Sequence, residues 1–294
     1  MSDAPKHREA YAGRAAAATD ASRLAALQLV KTGNIVELGQ VLNSRAPHYP
    51  AIQPPFVMNL WSTAHGVIRA LRRKGVRNDP GINLEHACMT FHTGTHIDAL
   101  GHFSAGQRMY GGRDVETVVG DLGLHDLGAD MIPAIITRGV LLDVADMGRS
   151  GQLAAGEVVT RAALQKAEEE AGTRLREGDV ALIRTGWART YRENPAIYTK
   201  GEPGPDLDAA RYLTDAGVIA IGADNMAIEV MPGHDPTVSM PVHQHALVDC
   251  GVYLIENMDL DALSASGHRQ ACFLLLTPRI RGATGSPSRP VAIL

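Results

Sequence analysis

Apolar positions along the chain fall into short blocks set off by polar and turn-forming residues. Residues 34–42 alternate in part and predict an early strand. Pro47, Pro50, Pro54 and Pro55 then mark residues 43–55 as a turn-rich segment. Residues 138–144 are a short apolar run bounded by Gly and Asp, the pattern of a buried strand. A helix follows: Thr160 is placed to cap it, Ala162, Ala163, Leu164 and Ala167 favour it, and Gly172 can close it in the left-handed conformation. Its run Glu168, Glu169 and Glu170 reads as a solvated face. Four more apolar runs, at 179–184, 217–222, 252–256 and 271–276, predict strands, with a short helix over 206–214 between two of them. The whole predicts an α/β fold in which strands predominate.

The chain has 294 residues, 45% of them hydrophobic, enough for a sizeable core. We read residues 1–33 as an N-terminal arm, frayed or helical up to Arg23, and residues 34–294 as a single domain. The formal net charge of −4 argues against a nucleic-acid partner, which selects for a basic stripe. No stretch approaches the roughly 20 apolar residues of a membrane span, and residues 1–23 contain no apolar core of a secretory signal. Cys88, Cys250 and Cys272 are too few and scattered for a disulfide framework, so each is expected as a small core hydrophobe in a reducing, cytoplasmic setting.

Histidine changes the picture. Of twelve, four lie between His86 and His102 and three between His234 and His245. The core spacing is His92-x3-His96-x-Asp98-x3-His102, an imidazole and carboxylate set that suits zinc, manganese, iron or nickel. On a regular strand His92 and His96 would stand roughly 13 Å apart at about 3.3 Å per residue. One ion, with bonds of about 2 Å, could not reach both. The chain must bend, and Gly94 is the residue that permits it. A kinked strand or loop is expected through Gly94, with a helical turn beginning near Asp98 and facing Asp98 and His102 into one pocket. His86 is expected to be structural, His234 to lie on a loop, and His125 to have no functional role. Trp61, His65 and Phe91 are candidates for an apolar substrate wall. The glycines of residues 282–287 lack the Lys-Ser/Thr ending of a phosphate loop and read as a turn.

The block from His92 to Asp98 resembles the metal signature of the cyclase family of metal-dependent hydrolases, which includes kynurenine formamidase, isatin hydrolase and trans-dienelactone hydrolase. Residues 138–143, 178–180 with 184–187, 222–225, 241–244, 254–257 and 282–286 are similar to the same family. The resemblance implies a swivelling β/β/α-type fold with a central mixed sheet, and a homodimer or homotetramer. It implies His92, His96 and Asp98 as ligands of a divalent ion, Mn or Zn, and His102 as the acid/base group. In the formamidase branch, a His and a Glu twelve positions later add two ligands. Glu256 matches that Glu, but twelve positions before it stands Gln244. This departure favours one ion per subunit, with Gln244 ranked first as ligand, then His243, then His245. The expected activity is hydrolysis of a small cyclic amide, lactone or formamide. A metal-dependent lyase or cyclase, or a non-catalytic metal-bound binding protein, are the alternatives.

Overall fold

The computed structural model describes residues 11–148 and 150–294. Residues 1–10 of the expected arm lie outside them. Its centre is a nine-stranded mixed sheet. In chain order the strands are β1 (Ile35–Glu37), β4 (His96–Asp98), β5 (Ile135–Asp143), β6 (Val180–Arg184), β7 (Ala220–Ala223), β8 (Tyr253–Glu256), β9 (Gln270–Leu275), β10 (Gly285–Pro287) and β11 (Val291–Ile293). The numbers β2 (Val57–Ser62) and β3 (Leu84–Cys88) belong to a separate hairpin. The spatial order is β1-β11-β9-β5-β6-β7-β8-β4-β10. The four central strands β5, β6, β7 and β8 run parallel, and every other pairing within this sheet is antiparallel.

The parallel strands are the apolar runs of the sequence. β6, β7 and β8 are buried at every position, because parallel strands are covered on both faces. Burying each Val, Leu or Ile there contributes about 1.5–3 kcal/mol. The covering helices are α1 (Asp20–Leu27), packed on β5 and β9, and the pair α3 (Arg161–Glu170) and α4 (Leu207–Asp215). Thr160 caps α3 by accepting from Ala163 N at 3.2 Å, and Asp206 caps α4 by accepting from Ala209 N at 2.8 Å.

Three expectations need correction. Glu168 is not solvated: it is 1% exposed, accepts from Leu175 N at 2.6 Å and from the Tyr212 hydroxyl, and pairs with Arg174. Cys88 is exposed rather than in the core, whereas Cys272 is buried and Cys250 partly so. His86 is an exposed residue of β3. That strand, β2 and the intervening α2 (Ala64–Arg72) form an arm without one buried residue.

Candidate metal centre

Gly94 makes the bend that the spacing demands. Its φ is +67°, and a Cβ there would meet Leu42 Cδ1 at 3.2 Å and the Tyr191 hydroxyl at 3.6 Å. Past the bend, the Thr95 hydroxyl donates to Asn257 O at 2.6 Å and accepts from Gln40 N at 2.7 Å. This pins the chain as it enters the sheet. Residues 96–98 then form β4, a strand after the kink, as one of the two expected forms. Ile97 is fully buried and pairs with Ile255 and Ser286, so the ladder on both sides outweighs local turn preference. The turn comes one residue later, closed by His102 N donating to Ala99 O at 2.9 Å.

Strand alternation puts His96 and Asp98 on one face. Register sets Glu256 of β8 opposite His96 and Gly285 of β10 opposite Asp98. His92 arrives over Gly285 from before the bend, where a side chain would block it: a Cβ at Gly285 would lie 2.6 Å from His92 Cε1. His92 Nε2 bonds Thr284 Oγ1 at 2.8 Å, which turns Nδ1 to Asp98 Oδ1, also at 2.8 Å. His96 Nδ1 donates to Gly94 O at 2.8 Å, which turns Nε2 inward, 3.4 Å from Asp98 Oδ1 and 3.2 Å from Glu256 Oε2. On the other side of Asp98, His243 Nε2 lies 3.7 Å from Oδ2 and 3.2 Å from Glu256 Oε1. The His102 ring stacks on that of His92 at 4.1 Å between centroids. Donor atoms of His92, His96 and Asp98 lie within 4.8 Å of one another, as do those of Asp98, His102 and His243.

These residues fit a divalent cation. His96 Nε2 and both Asp98 oxygens are buried without an aligned hydrogen bond, although nitrogen and oxygen stand close. Buried polar atoms rarely go unsatisfied, and lone pairs that converge on one point suit an ion. The imidazoles divide by environment. Burial acts against the charge of His96, but Asp98 and Glu256 beside it raise its pKa to about 10. Burial likewise opposes His243, and Glu229 and Glu256 raise it to about 10. His102 goes the other way, down to about 4: burial dominates, Asp98 opposes, and His92 and His243 add to the fall.

The cluster opens onto a cavity of about 440 Å³. His92, His102, His243 and Glu256 form its floor, and Ile52, Phe103, Met226, Met231 and Met240 supply apolar wall. The structure does not bring the expected wall to this cavity: none of Trp61, His65 and Phe91 lines it within the chain. Trp61 is 77% exposed on the arm, with His65 exposed beside it, and Phe91 packs against the main core. The three methionines carry no local signal, since each reads as a loop or core residue until the chain is folded.

A sequence model of the Cyclase family, described as "Putative cyclase", matches residues 36–230. The chain belongs to the Cyclase family. It is similar to the kynurenine formamidase of Bacillus thuringiensis subsp. konkukian, at 24% identity over 89% of this chain and 98% of that one. A crystal structure described as a novel cyclase superimposes with a TM-score of 0.85, at 26% identity over 96% and 94% of the two chains. Isatin hydrolase A from Ralstonia solanacearum shares the fold with a TM-score of 0.65, at 21% identity over 88% and 91%.

In this Cyclase-family chain it is His243, and not the higher-ranked Gln244, that the fold places beside Asp98 and Glu256. Gln244 turns its Nε2 to Ser104 O at 3.2 Å, and His243 takes the position beside Glu256. His245 points away, with Nε2 2.9 Å from Thr214 Oγ1. Between His243 and Glu256 lies a π-helix, Gln244–Cys250. A π turn closes over one residue more than an α turn, so it absorbs an extra residue. The spacing of thirteen rather than twelve is accommodated without moving His243 off the Asp98 face. Glu229, which holds His243, was missed altogether, because a lone Glu fourteen residues away offers no pattern to read.

Proposed function

We propose that this protein is a metal-dependent hydrolase that cleaves the amide C–N bond of a small formamide or cyclic amide, with a lactone as the related ester substrate. The observation that carries the reading is a converging donor set of His92, His96, Asp98, His243 and Glu256 at the floor of an apolar cavity. His92, His96 and Asp98 would hold one divalent ion, zinc or manganese. His243, Glu256 and the second Asp98 oxygen would hold another, which revises the single ion expected from Gln244. Such ions supply Lewis acidity and lower the pKa of water toward about 7.

The remaining work falls to the chain itself. His102 is half-buried at the cavity floor, and desolvation lowers its pKa to about 4, so its imidazole is neutral at physiological pH and free to accept a proton from the attacking water. The same ring returns the proton to the leaving nitrogen. Asp98 and Glu256 hold negative charge beside His96 and His243 and fix their orientation. Ile52, Phe103 and the three methionines hold an apolar substrate body and exclude water, and flexible thioethers adapt to its outline. The names of the relatives favour this class over a lyase or a binding protein. The test is a metal count on purified protein with a screen of aryl formamides, isatin-type lactams and lactones. Turnover of one class that is lost with chelator and regained with ion supports it. No turnover of any in the fully loaded protein refutes it.

We also propose a homo-oligomer. Met58, Leu60 and Trp61 of the arm are 60%, 54% and 77% exposed, and a two-stranded hairpin with no core is marginal in water. A second copy is the partner that would cover it. Light scattering on Leu60→Asp/Trp61→Asp tests this: an unchanged oligomer would exclude the arm from the interface.

A further inference from the structure

One buried carboxylate faces the donor set from behind and belongs to none of the groups described so far as ligands. Glu229 is 2% exposed. Its Oε1 accepts from His243 Nδ1 at 2.7 Å and from His243 N at 3.1 Å, and its Oε2 accepts from Val242 N at 3.1 Å. The residue before Pro241, Met240, is in the left-handed region and its side chain caps nothing. Glu229 thus supplies from a distance the acceptor that this helix start lacks.

The backbone is bent to put it there. Ile228 has a φ of +57°, a conformation that a β-branched residue resists. Asn225 holds the bend by donating its Nδ2 to Ile228 O and to Pro203 O, both at 2.7 Å. A strained residue clamped by a buried amide, next to a buried carboxylate that makes three hydrogen bonds, is costly to maintain. Capping a helix start would not need it, since Ser, Thr, Asp or Asn at position 240 would do that locally.

We infer that Glu229 is the positioning residue of the centre: its carboxylate fixes His243 with the proton on Nδ1, so that Nε2 is offered to an ion shared with Asp98 and Glu256. This rests on the metal-hydrolase reading above. A carboxylate behind an imidazole sets its tautomer and raises its basicity, and losing one typically weakens metal affinity about 10–100-fold. Glu229 does not itself line the cavity, and its hydrogen bonds go to Val242 N and to His243, so it acts on the centre through His243.

The test is a cobalt(II) titration of metal-free wild type and Glu229→Gln, followed by visible absorption bands and calorimetry. Wild type is expected to take two equivalents. The variant should keep the tight one, held by His92, His96 and Asp98, and bind the other about 10–100-fold more weakly with altered bands. Its melting temperature measures the capping role, and weakening beyond any such loss of fold marks the positioning role. Identical titrations of the two proteins would overturn the inference and leave the hydrolase reading standing. A wild type that takes no cobalt sinks both. Should Glu229→Gln fail to fold, nitrogen-15 spectra of histidine-labelled, zinc-loaded wild type decide: a proton on His243 Nδ1 supports the assignment, and one on Nε2 overturns it.

Discussion

Replacing Gly285 with Ala separates the centre from the scaffold that carries it. Gly285 lies in β10 opposite Asp98, and its φ is not among the positive ones, so alanine suits the backbone. Gly→Ala at a compatible site is worth about 0.4–1 kcal/mol through the unfolded chain. The new Cβ would stand 2.6 Å from His92 Cε1, where ordinary contact begins at 3.4 Å, so the ring must retreat by about 0.8 Å, 3.4 less 2.6. The contact is with the far end of a side chain rather than with backbone, so the ring can retreat by loosening its bonds to Thr284 and Asp98 while the sheet stays in place. The Ile97 carbonyl, at 3.1 Å, must give by a few tenths of an ångström. For an ion the displacement is large: ligand distances are held to about 0.2 Å, and misplacement by about 1 Å costs on the order of 10²-fold in rate. That is about 2.7 kcal/mol of transition-state stabilisation. We therefore expect Gly285→Ala to melt within a few degrees of wild type, lose metal on dialysis, and show kcat/KM reduced about 10²-fold on whichever amide the wild type turns over. Full metal content with wild-type kcat/KM would refute the packing argument. Global unfolding would refute the claim that the clash is cheap.

Other expectations follow from the same geometry. His102→Ala should keep its metal and lose about 10²–10⁴-fold in kcat, and a normal rate would remove His102 from the reaction. His96→Ala or Asp98→Ala should fail to hold stoichiometric metal by elemental analysis, whereas Gln244→Ala should hold it; the reverse pattern would restore Gln244 as ligand. The metal-free protein should lose stability as pH rises. The folded-state pKa values of His96 and His243 lie near 10, above the ordinary 6.5, so their stabilisation is complete below 6.5 and is lost as pH climbs from there toward 10. Metal affinity should rise over the same window, because an ion displaces those protons. Melting curves with chelator from pH 6.5 to 10 check this, and a flat profile counts against it.

How much of this was legible depended on how local the cause was. β5, β6, β8 and β9 were readable because continuous apolar runs mark strands covered on both faces, and Thr160 and Asp206 announced their helices. The Gly94 bend could be deduced because two imidazoles four residues apart cannot share an ion on a straight strand. A kinked strand or loop through Gly94 was as far as β4 could be read: three residues carry too little pattern to fix its end, and pairing with β8 and β10 from the far end of the chain decides it. Trp61 looked like pocket wall because it is aromatic, yet side chains of that kind serve equally on a bare hairpin. Glu168 was misjudged because its partner Tyr212 lies on another helix. Gln244 outranked His243 because nothing in local composition marks a π turn.

The sheet order also bears on how the protein is made. β4 comes from the first third of the chain but is held between β8 and β10, which come from the last third. At about 5–20 residues per second, ribosomal synthesis leaves the His92–Asp98 segment waiting many seconds for its neighbours. During that interval His92, His96, Asp98 and the apolar Ile97 stand without the strands that hold them in place. On the proposed metal reading, loading would follow the emergence of residues 253–287, and a nascent chain that met an ion earlier would be trapped with the wrong geometry. Expression yield should therefore respond to the metal content of the growth medium at the stage of translation, not only to what is added to the finished protein.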